Sequence, residues 1–258
     1  SMMISLRRCT RIVLAMLAML AAGFAAAEPQ PSPPVDIGQL TAAIEKARQD
    51  WGVPGLSVAI VKDGQVVLAQ GYGVREIGKP EPVDADTLFA IASNTKALTA
   101  ATLAMLEEEK KLGWNDRVQQ HLPWLQLYDP YVSSDLRLDD LLCHRTGLKT
   151  FSGDLLWWGT EYTPEDMLRR ARHLKPTGAF RAQYGYSNLM YVAAGEVVAK
   201  ASGTSWVNFV SERILKPVGM SRTVTSVKDL AAMGNFASPH KTTSEAVTAI
   251  PWANWDNV

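Results

Sequence analysis

The chain has 258 residues, of which 47% are hydrophobic and 20% are charged, and its formal net charge at pH 7 is +0. This composition is typical of a globular protein with one large core or two small ones. Because the charge is balanced, the chain has no excess of positive charge that would attract nucleic acid. A small-molecule or neutral substrate is therefore expected.

Residues 1–27 have the features of a secretory signal. Three arginines, Arg7, Arg8 and Arg11, precede the apolar run IVLAMLAMLAAGF, and three alanines follow at positions 25–27. A charged start, a short apolar middle and small residues at the cleavage site are typical of such signals. The alternative is a membrane anchor, but the run is short for a span of about 20 residues. The mature protein is therefore expected to be periplasmic or secreted, without a stable membrane span.

A Pro-rich leader over residues 28–36 precedes a domain predicted over residues 37–258. The domain opens with IGQLTAAIEKARQDW, whose apolar residues recur at helical spacing. Two β-rich runs, 56–62 and 65–72, then flank Asp63-Gly64, which predicts a hairpin because both turn positions favour positive φ. An isolated two-stranded hairpin is only marginally stable in water, so we expect these strands to belong to a larger antiparallel sheet.

Helices are predicted for most of the chain that follows, and the segment from Ser221 is predicted to be irregular. The predicted helices are residues 94–112, LRLDDLLCHRTGL up to Gly147, TPEDMLRRARHL from its N-cap Thr163, SNLMYVAAGEVVAKASG from Ser187 or Asn188, and SWVNFVSERILKPVGM up to Pro217. One hairpin followed by many helices favours an α+β or α/β layered fold.

The run FAIASNTKALTA, residues 89–100, places a serine and a lysine at the start of an apolar helix. At spacing i and i+3, Ser93 and Lys96 share one helix face. Ser93 is expected at the helix N-terminus, where free N–H groups favour developing negative charge. In a dry environment Lys96 could accept the serine proton or stabilise the alkoxide, which makes Ser93 a candidate nucleophile. The alternative is a capping serine beside an incidental lysine, because Ser-x-x-Lys is common by chance.

A second polar set occurs in YGYSNLMY, residues 184–191, at the start of another apolar helix. A tyrosine near a lysine can transfer a proton, which is the role predicted for Tyr186. The amide of Asn188 could hold a lysine and a substrate carbonyl together. Taken alone, these residues are equally compatible with a packing tyrosine and an N-cap asparagine.

The two motifs together resemble the penicillin-recognising serine hydrolases, which include class C β-lactamases, D-Ala-D-Ala carboxypeptidases, and related esterases and D-aminopeptidases. The sequence Ser93-Asn94-Thr95-Lys96 follows a hairpin, and Tyr186-Ser187-Asn188 follows a helical insert. Other similar stretches are VPGLSVAIVKDGQVVLAQGYG and LRLDDLLCHRTGL, and the resemblance runs from about residue 37 to about residue 240. It implies a β-lactamase/transpeptidase-like α+β fold, an α/β/α sandwich whose antiparallel sheet carries a helical insert.

The resemblance also implies a role for each site residue, without a metal or another cofactor. Ser93 would be acylated, Lys96 would activate it, and the Ser93 backbone N–H would form half of an oxyanion hole. Tyr186 would shuttle the proton, also during deacylation, and Asn188 would hold Lys96 and the substrate amide.

The third motif of these hydrolases, Lys-Thr-Gly or His-x-Gly on a late strand, is not found in this sequence. The nearest match, Lys241-Thr242-Thr243, lacks the glycine and lies in no strand pattern. We therefore expect this chain to stop before the C-terminal strands of the domain and to hydrolyse substrates poorly by itself.

Other candidate residues have weaker signals. Trp157-Trp158 could wall the substrate cleft or could pack in the core or an interface. Ser57 is rejected as a nucleophile because it lies within a strand, and Cys143 is expected to be a small buried residue. His144 is interpreted as a structural helix-end residue. A metal site is not expected because the histidines show no ligand spacing; they are His121, His144, His173 and His240.

Taken together, the sequence predicts an exported serine hydrolase that cleaves an amide or ester through a Ser93 acyl-enzyme. The substrate could be a β-lactam, a D-amino peptide or an ester, and a broad esterase or peptidase is favoured over a dedicated β-lactamase. The alternative is a non-catalytic, penicillin-binding-like protein that binds cell-wall peptide or a partner. The sequence does not indicate an oligomeric state.

Overall fold

The computed structural model describes residues 36–253, 255–256 and 258. The predicted signal and nearly all of the Pro-rich leader lie outside these residues and remain predictions. Residues Glu45–Val258 form one compact unit, and the candidate site lies within it. Within the described ranges, no helix is long and apolar enough to cross a membrane.

The predicted hairpin is formed by strands β1 (Gly55–Lys62) and β2 (Gln65–Gly73), which follow helix α1 (Ile37–Asp50). Asp63 and Gly64 have φ values of 51° and 74°, as a two-residue turn between twisted strands requires. The strands pair antiparallel along their length, with one bulge. In the described part of the chain this sheet has two strands, and the larger sheet, whose further strands are not expected within this chain, stays a prediction.

Helices follow the hairpin, as predicted, and most of them are short. They are α2 (Thr95–Glu108), α3 (Val118–His121), α4 (Pro130–Asp135), α5 (Leu138–Leu142), α6 (Pro164–Arg170), α7 (Asn188–Ser202), α8 (Trp206–Val210) and α9 (Leu230–Met233). Short 3₁₀ turns lie at residues 92–94, 154–156, 171–173 and 227–229, and α8 continues as a π-helical turn over residues 211–215.

Helix α7 lies at the centre of the core, with helices α2 and α6 packed against it. Its fully buried side chains are Leu189, Met190, Ala193, Ala194, Val197 and Val198. Both helix ends agree with the sequence: the Ser187 hydroxyl accepts the Met190 N–H at 3.4 Å, and the C-cap Gly203 has a φ of 76°. Because Asn188 is the first residue of α7, burial of this helix positions the Tyr-Ser-Asn motif.

Two helices end earlier than predicted. Helix α2 ends at Glu108, because Lys110 has a φ of 59° and turns the chain. Helix α5 ends at Leu142 rather than at Gly147, because His144 has a φ of 55°. Cys143, which we expected to be buried, is exposed, since it occupies the C-cap position of α5 beyond the buried turn.

The segment from Ser221, predicted to be irregular, contains a second hairpin. Its strands are β3 (His240–Thr242) and β4 (Val247–Ala249), which pair antiparallel. Lys241 and Thr242 therefore lie in a strand, contrary to the prediction. The strands are three residues long and mostly exposed, so they produce too little alternation of polar and apolar residues to be recognised.

Candidate active site

Ser93 lies in a single 3₁₀ turn, Ala92–Asn94, directly before α2. Its side chain is exposed and does not have the capping role that was the alternative interpretation, because Asn94 occupies the N-cap position. Ala92 has a φ of 44°, and the left-handed region costs an L-residue about 1–2 kcal/mol. The nucleophile candidate therefore follows a strained residue, as is common at functional sites.

The four residues predicted from the two motifs meet at one place. Lys96 Nζ lies 3.1 Å from Ser93 Oγ, and the Tyr186 hydroxyl donates to the same oxygen at 2.6 Å. Lys96 Nζ also donates to Asn188 Oδ1 at 2.7 Å. The first contact follows from the i and i+3 spacing, and the others arise because α2 packs against α7.

Lys96 is half-buried, so it is less dry than the sequence suggested. Its ammonium lies 4.8 Å from the ring centre of Tyr186 and 5.2 Å from that of Tyr191. Aromatic faces attract a cation, and the Asn188 oxygen accepts one of its protons. The Asn188 oxygen and the two aromatic rings therefore hold Lys96 Nζ beside Ser93 Oγ.

Tyr186 is held in place by residues from an earlier loop. Its backbone N–H donates to Thr150 Oγ1 at 3.1 Å, and its ring stacks on the imidazole of His144, with centroids 4.4 Å apart. His144 Nδ1 accepts the Ser187 N–H at 3.0 Å, so the neutral ring carries its proton on Nε2. His144, interpreted from the sequence as a helix-end residue, thus also supports the Tyr-Ser-Asn motif, and no local pattern indicated this long-range contact.

Burial, hydrogen bonds and neighbouring charges shift the pKa of the Tyr186 phenol. Burial raises the pKa of the phenol, but hydrogen bonds with Lys96 and Ser93 and the Lys96 charge outweigh burial, so the pKa lies below its ordinary value of 10.0. The charge of Asp154 opposes this lowering. Burial and, second, the Lys96 charge also lower the pKa of His144. A lowered phenol pKa raises the fraction of Tyr186 that is phenolate at a given pH, which is the form that can accept a proton.

Asp154 is a site residue that the sequence analysis missed. Its Oδ2 accepts the Asn188 Nδ2–H at 3.1 Å, and its Oδ1 accepts the indole N–H of Trp157 at 3.2 Å. Burial raises the pKa of Asp154, although both hydrogen bonds and the Lys96 charge act in the opposite direction. The only local signal was its position three residues before the tryptophan pair.

The two tryptophans proposed to wall the cleft have different environments. Trp157 is 7% exposed, belongs to the core, and reaches the site through Asp154. Trp158 is 57% exposed, and its ring lies 5.1 Å from that of Trp255. A substrate-contacting role for either residue remains a prediction. In the described part of the chain, no group of three or more His, Cys, Asp or Glu side chains is arranged to hold a metal.

Comparisons with known proteins agree with this architecture. The family model described as Beta-lactamase matches residues 40–257. The unguisins hydrolase ungD′ of Aspergillus campestris is 33% identical over 201 residues, which are 74% of this chain and 37% of that protein. The octameric penicillin-binding protein homologue of Pyrococcus abyssi superposes with a TM-score of 0.74 at 27% identity, over 84% of this chain and 51% of that one.

A third similar structure is the D-alanine carboxypeptidase AmpC from Burkholderia cenocepacia, with a TM-score of 0.67 and 25% identity, over 85% of this chain and 58% of that one. The chain therefore spans between about a third and three-fifths of the length of these relatives. The structural matches confirm the predicted β-lactamase/transpeptidase-like fold class.

Proposed function

This chain belongs to the beta-lactamase family, and on that premise we propose that it is an exported serine hydrolase that cleaves an amide or ester through an acyl-enzyme on Ser93. The observation that carries the proposal is that one oxygen, Ser93 Oγ, lies within hydrogen-bond distance of both Lys96 Nζ and the Tyr186 hydroxyl. A nucleophile beside a positioned base is the arrangement that serine hydrolases require.

In the proposed acylation step, the Ser93 hydroxyl proton moves to the Tyr186 phenolate or to neutral Lys96 while Oγ bonds to the substrate carbonyl carbon. The carbonyl oxygen becomes negative, and the Ser93 backbone N–H, in the 3₁₀ turn directly before α2, is the donor proposed to stabilise it. When this intermediate collapses, the carbon–nitrogen or carbon–oxygen bond breaks. The leaving amine or alcohol takes the proton from the base, and Ser93 retains the acyl group as an ester.

In the proposed deacylation step, the same base takes a proton from water, and the water oxygen attacks the acyl carbon. Collapse of this second intermediate returns the proton to Ser93 Oγ and releases a carboxylic acid. Asn188 is proposed to hold Lys96 and the substrate amide. Tyr186 is suited to both steps, because its hydroxyl lies 2.6 Å from Ser93 Oγ and its lowered pKa favours the phenolate form that accepts a proton.

Export and substrate class are part of the proposal. Export is supported by residues 1–27, in which a positively charged segment, an apolar segment and a run of small residues follow one another. For the substrate we propose an ester or a D-amino peptide in preference to a β-lactam. Parallel hydrolysis assays with a short-chain ester, a D-alanyl dipeptide and a chromogenic cephalosporin would rank the three classes.

Covalent labelling tests the central claim. A fluorophosphonate or a fluorescent penicillin should add one probe mass to the folded full-length protein, located on Ser93, and Ser93→Ala should abolish the label. Ser57→Ala is the matched control, because Ser57 is an exposed serine in strand β1, and it should be labelled like the wild type. The proposal fails if neither probe reacts with Ser93. Binding of cell-wall peptide that survives Ser93→Ala would then support the non-catalytic alternative.

A further inference from the structure

A side-chain amide can face its neighbours in two ways, and only one of them suits Lys96. With Asn188 Oδ1 toward Lys96 Nζ, the carbonyl oxygen accepts an ammonium proton at 2.7 Å. With the amide reversed, its NH₂ group would face the ammonium, and two donors would oppose each other. The orientation of Asn188 therefore decides whether Lys96 is held beside Ser93.

We propose that Asp154 is a positioning residue for the reaction at Ser93, because it fixes the Asn188 amide with its oxygen toward Lys96. This inference rests on the proposed function. An ionised carboxylate only accepts hydrogen bonds, and Asp154 Oδ2 accepts the Asn188 Nδ2–H at 3.1 Å. Reversing the amide would place its oxygen against that carboxylate and its NH₂ group against the Lys96 ammonium. Both contacts are unfavourable, so the reversed orientation is disfavoured.

Asp154 can impose this orientation because it is itself anchored. Its other oxygen accepts the Trp157 indole N–H at 3.2 Å, and Trp157 is buried in the core. Asp154 opens the 3₁₀ turn 154–156. The preceding residue, Gly153, packs so closely on α7 that a Cβ added there would lie 2.4 Å from Leu189 Cδ1. A continuous hydrogen-bond chain thus runs from the core indole through Asp154, Asn188 and Lys96 to Ser93.

The charge of Asp154 gives the inference a readout that a purely structural role would not affect. The titratable groups around Tyr186 are Lys96 from α2, His144 from the loop after α5, Asp154 from its 3₁₀ turn and Tyr191 from α7. Of these, Asp154 raises the pKa of Tyr186. Removing its charge while preserving its shape should therefore move the pH dependence of acylation toward lower pH.

The test measures the rate at which a fluorophosphonate labels Ser93. Varying the probe concentration separates the first-order rate constant of labelling from the affinity for the probe. Both are measured from mildly acidic to mildly alkaline pH. In this reaction the Ser93 oxygen–phosphorus bond forms, fluoride leaves and the serine proton passes to the base. The variants are Asp154→Ala, Asp154→Asn and Trp157→Phe, which respectively remove the carboxylate, its charge and the indole donor. Asp63→Asn removes the same charge at the exposed hairpin turn and is the matched control.

Asp154→Ala should slow the first-order step about tenfold, as expected for loss of one orienting hydrogen bond to a charged network, with little change in probe affinity. Asp154→Asn keeps an acceptor oxygen, so it should slow the step less and shift the acidic limb of the profile to lower pH. Trp157→Phe should reproduce the rate loss of Asp154→Ala in weaker form, without the pH shift.

Three outcomes would overturn the inference. If the Asp154 variants label like Asp63→Asn, the inference alone fails and the proposed function stands. The same holds if they change only probe affinity. If wild-type Ser93 is not labelled, both fail, because no acylation exists for Asp154 to assist. If Asp154→Ala does not fold, the nearly isosteric Asp154→Asn variant tests the inference instead. The inference then fails if the pH dependence of labelling in Asp154→Asn is the same as in the wild type.

Discussion

At the scale of single residues, the phenol of Tyr186 shows how opposing effects set a proton affinity. Burial alone would make Tyr186 a weaker acid, but its hydrogen bonds with Lys96 and Ser93 and the Lys96 charge favour the phenolate, and together they prevail. The His144 ring stacked on Tyr186 is buried, and burial lowers the pKa of His144, so the neutral ring adds no competing charge. Tyr186 is therefore the best candidate in this site for the group that accepts the Ser93 proton.

Tyr186→Phe should lower the rate of Ser93 acylation by about 100-fold or more, because removal of a general base typically costs 10²–10⁴-fold. Folding should change little, since the ring that stacks on His144 is retained. Stopped-flow labelling measures the rate. The control is Tyr184→Phe, which deletes the hydroxyl of a 68% exposed neighbour. A Tyr186→Phe variant that reacts at the wild-type rate would leave Lys96 as the base.

At the scale of elements, α7 begins with one of the four site residues, Asn188, and another, Tyr186, lies just before its N-cap, while the buried face of the helix fills the core. The chain enters α7 through Gly185, where a Cβ would lie 1.9 Å from the Leu148 carbonyl oxygen. Gly195, within the same helix, differs, because the nearest atom to an added Cβ is 3.7 Å away, on Trp206. The entry to α7 is thus closely packed against backbone, whereas its middle has room for a methyl group.

We expect opposite effects from the same substitution at these two glycines. Gly195→Ala should stabilise the fold by about 0.5–1 kcal/mol, because alanine loses less entropy than glycine in a helix. Gly185→Ala should destabilise it by about 1–3 kcal/mol, the usual cost of overpacking, and should also slow Ser93 labelling by displacing Tyr186. Urea unfolding midpoints at constant m-value measure both changes. Equal shifts at the two positions would show that local packing does not control the entry to α7.

At the scale of the whole molecule, buried ionisable groups connect segments that are distant in sequence. Asp140 in α5 is buried and binds Arg145 and Arg181 at 2.5 Å and 2.6 Å. Burial raises the pKa of Asp140, but hydrogen bonds from Arg181, the Arg137 backbone and Arg145 outweigh it, so the pKa lies below its ordinary value of 3.8. His144 likewise has a pKa below its ordinary value of 6.5, chiefly because of burial.

Both groups make the fold less stable in acid. Where the folded pKa is depressed, the unfolded chain binds the proton first, so stability is lost as pH falls below the unfolded value. His144 should begin this loss as pH falls below 6.5, and Asp140 should add to it as pH falls below 3.8. Urea midpoints measured across the first window should decrease for the wild type.

His144→Asn is the matched variant for this effect. Asparagine tolerates a φ of 55° and retains an acceptor for the Ser187 N–H, but it does not titrate. The variant should be less stable than the wild type at neutral pH, and its stability should depend less on pH between neutrality and the carboxylate range. A wild-type slope that persists in His144→Asn would assign the acid sensitivity to another group.

The sequence alone determined the features that depend on neighbouring residues. These include the Asp63-Gly64 turn, the Ser187 cap and Gly203 end of α7, and the proximity of Ser93 to Lys96. Each follows from a spacing of four residues or fewer, where backbone geometry leaves few alternatives. The pairing of Ser93 with Tyr186 was expected only from resemblance to the penicillin-recognising serine hydrolases, because periodicity contains no information about which distant segments meet.

Only the tertiary structure decided the contacts made across the fold. The packing of α7 against α2, and the loops that pass over its start, place Asp154 and His144 beside the motif residues. The same packing leaves Cys143 exposed and Lys96 half-buried, contrary to expectations based on apolar neighbours in the sequence. Burial depends on how whole surfaces fit together, and hydrogen bonds between distant residues form only after that fit excludes water.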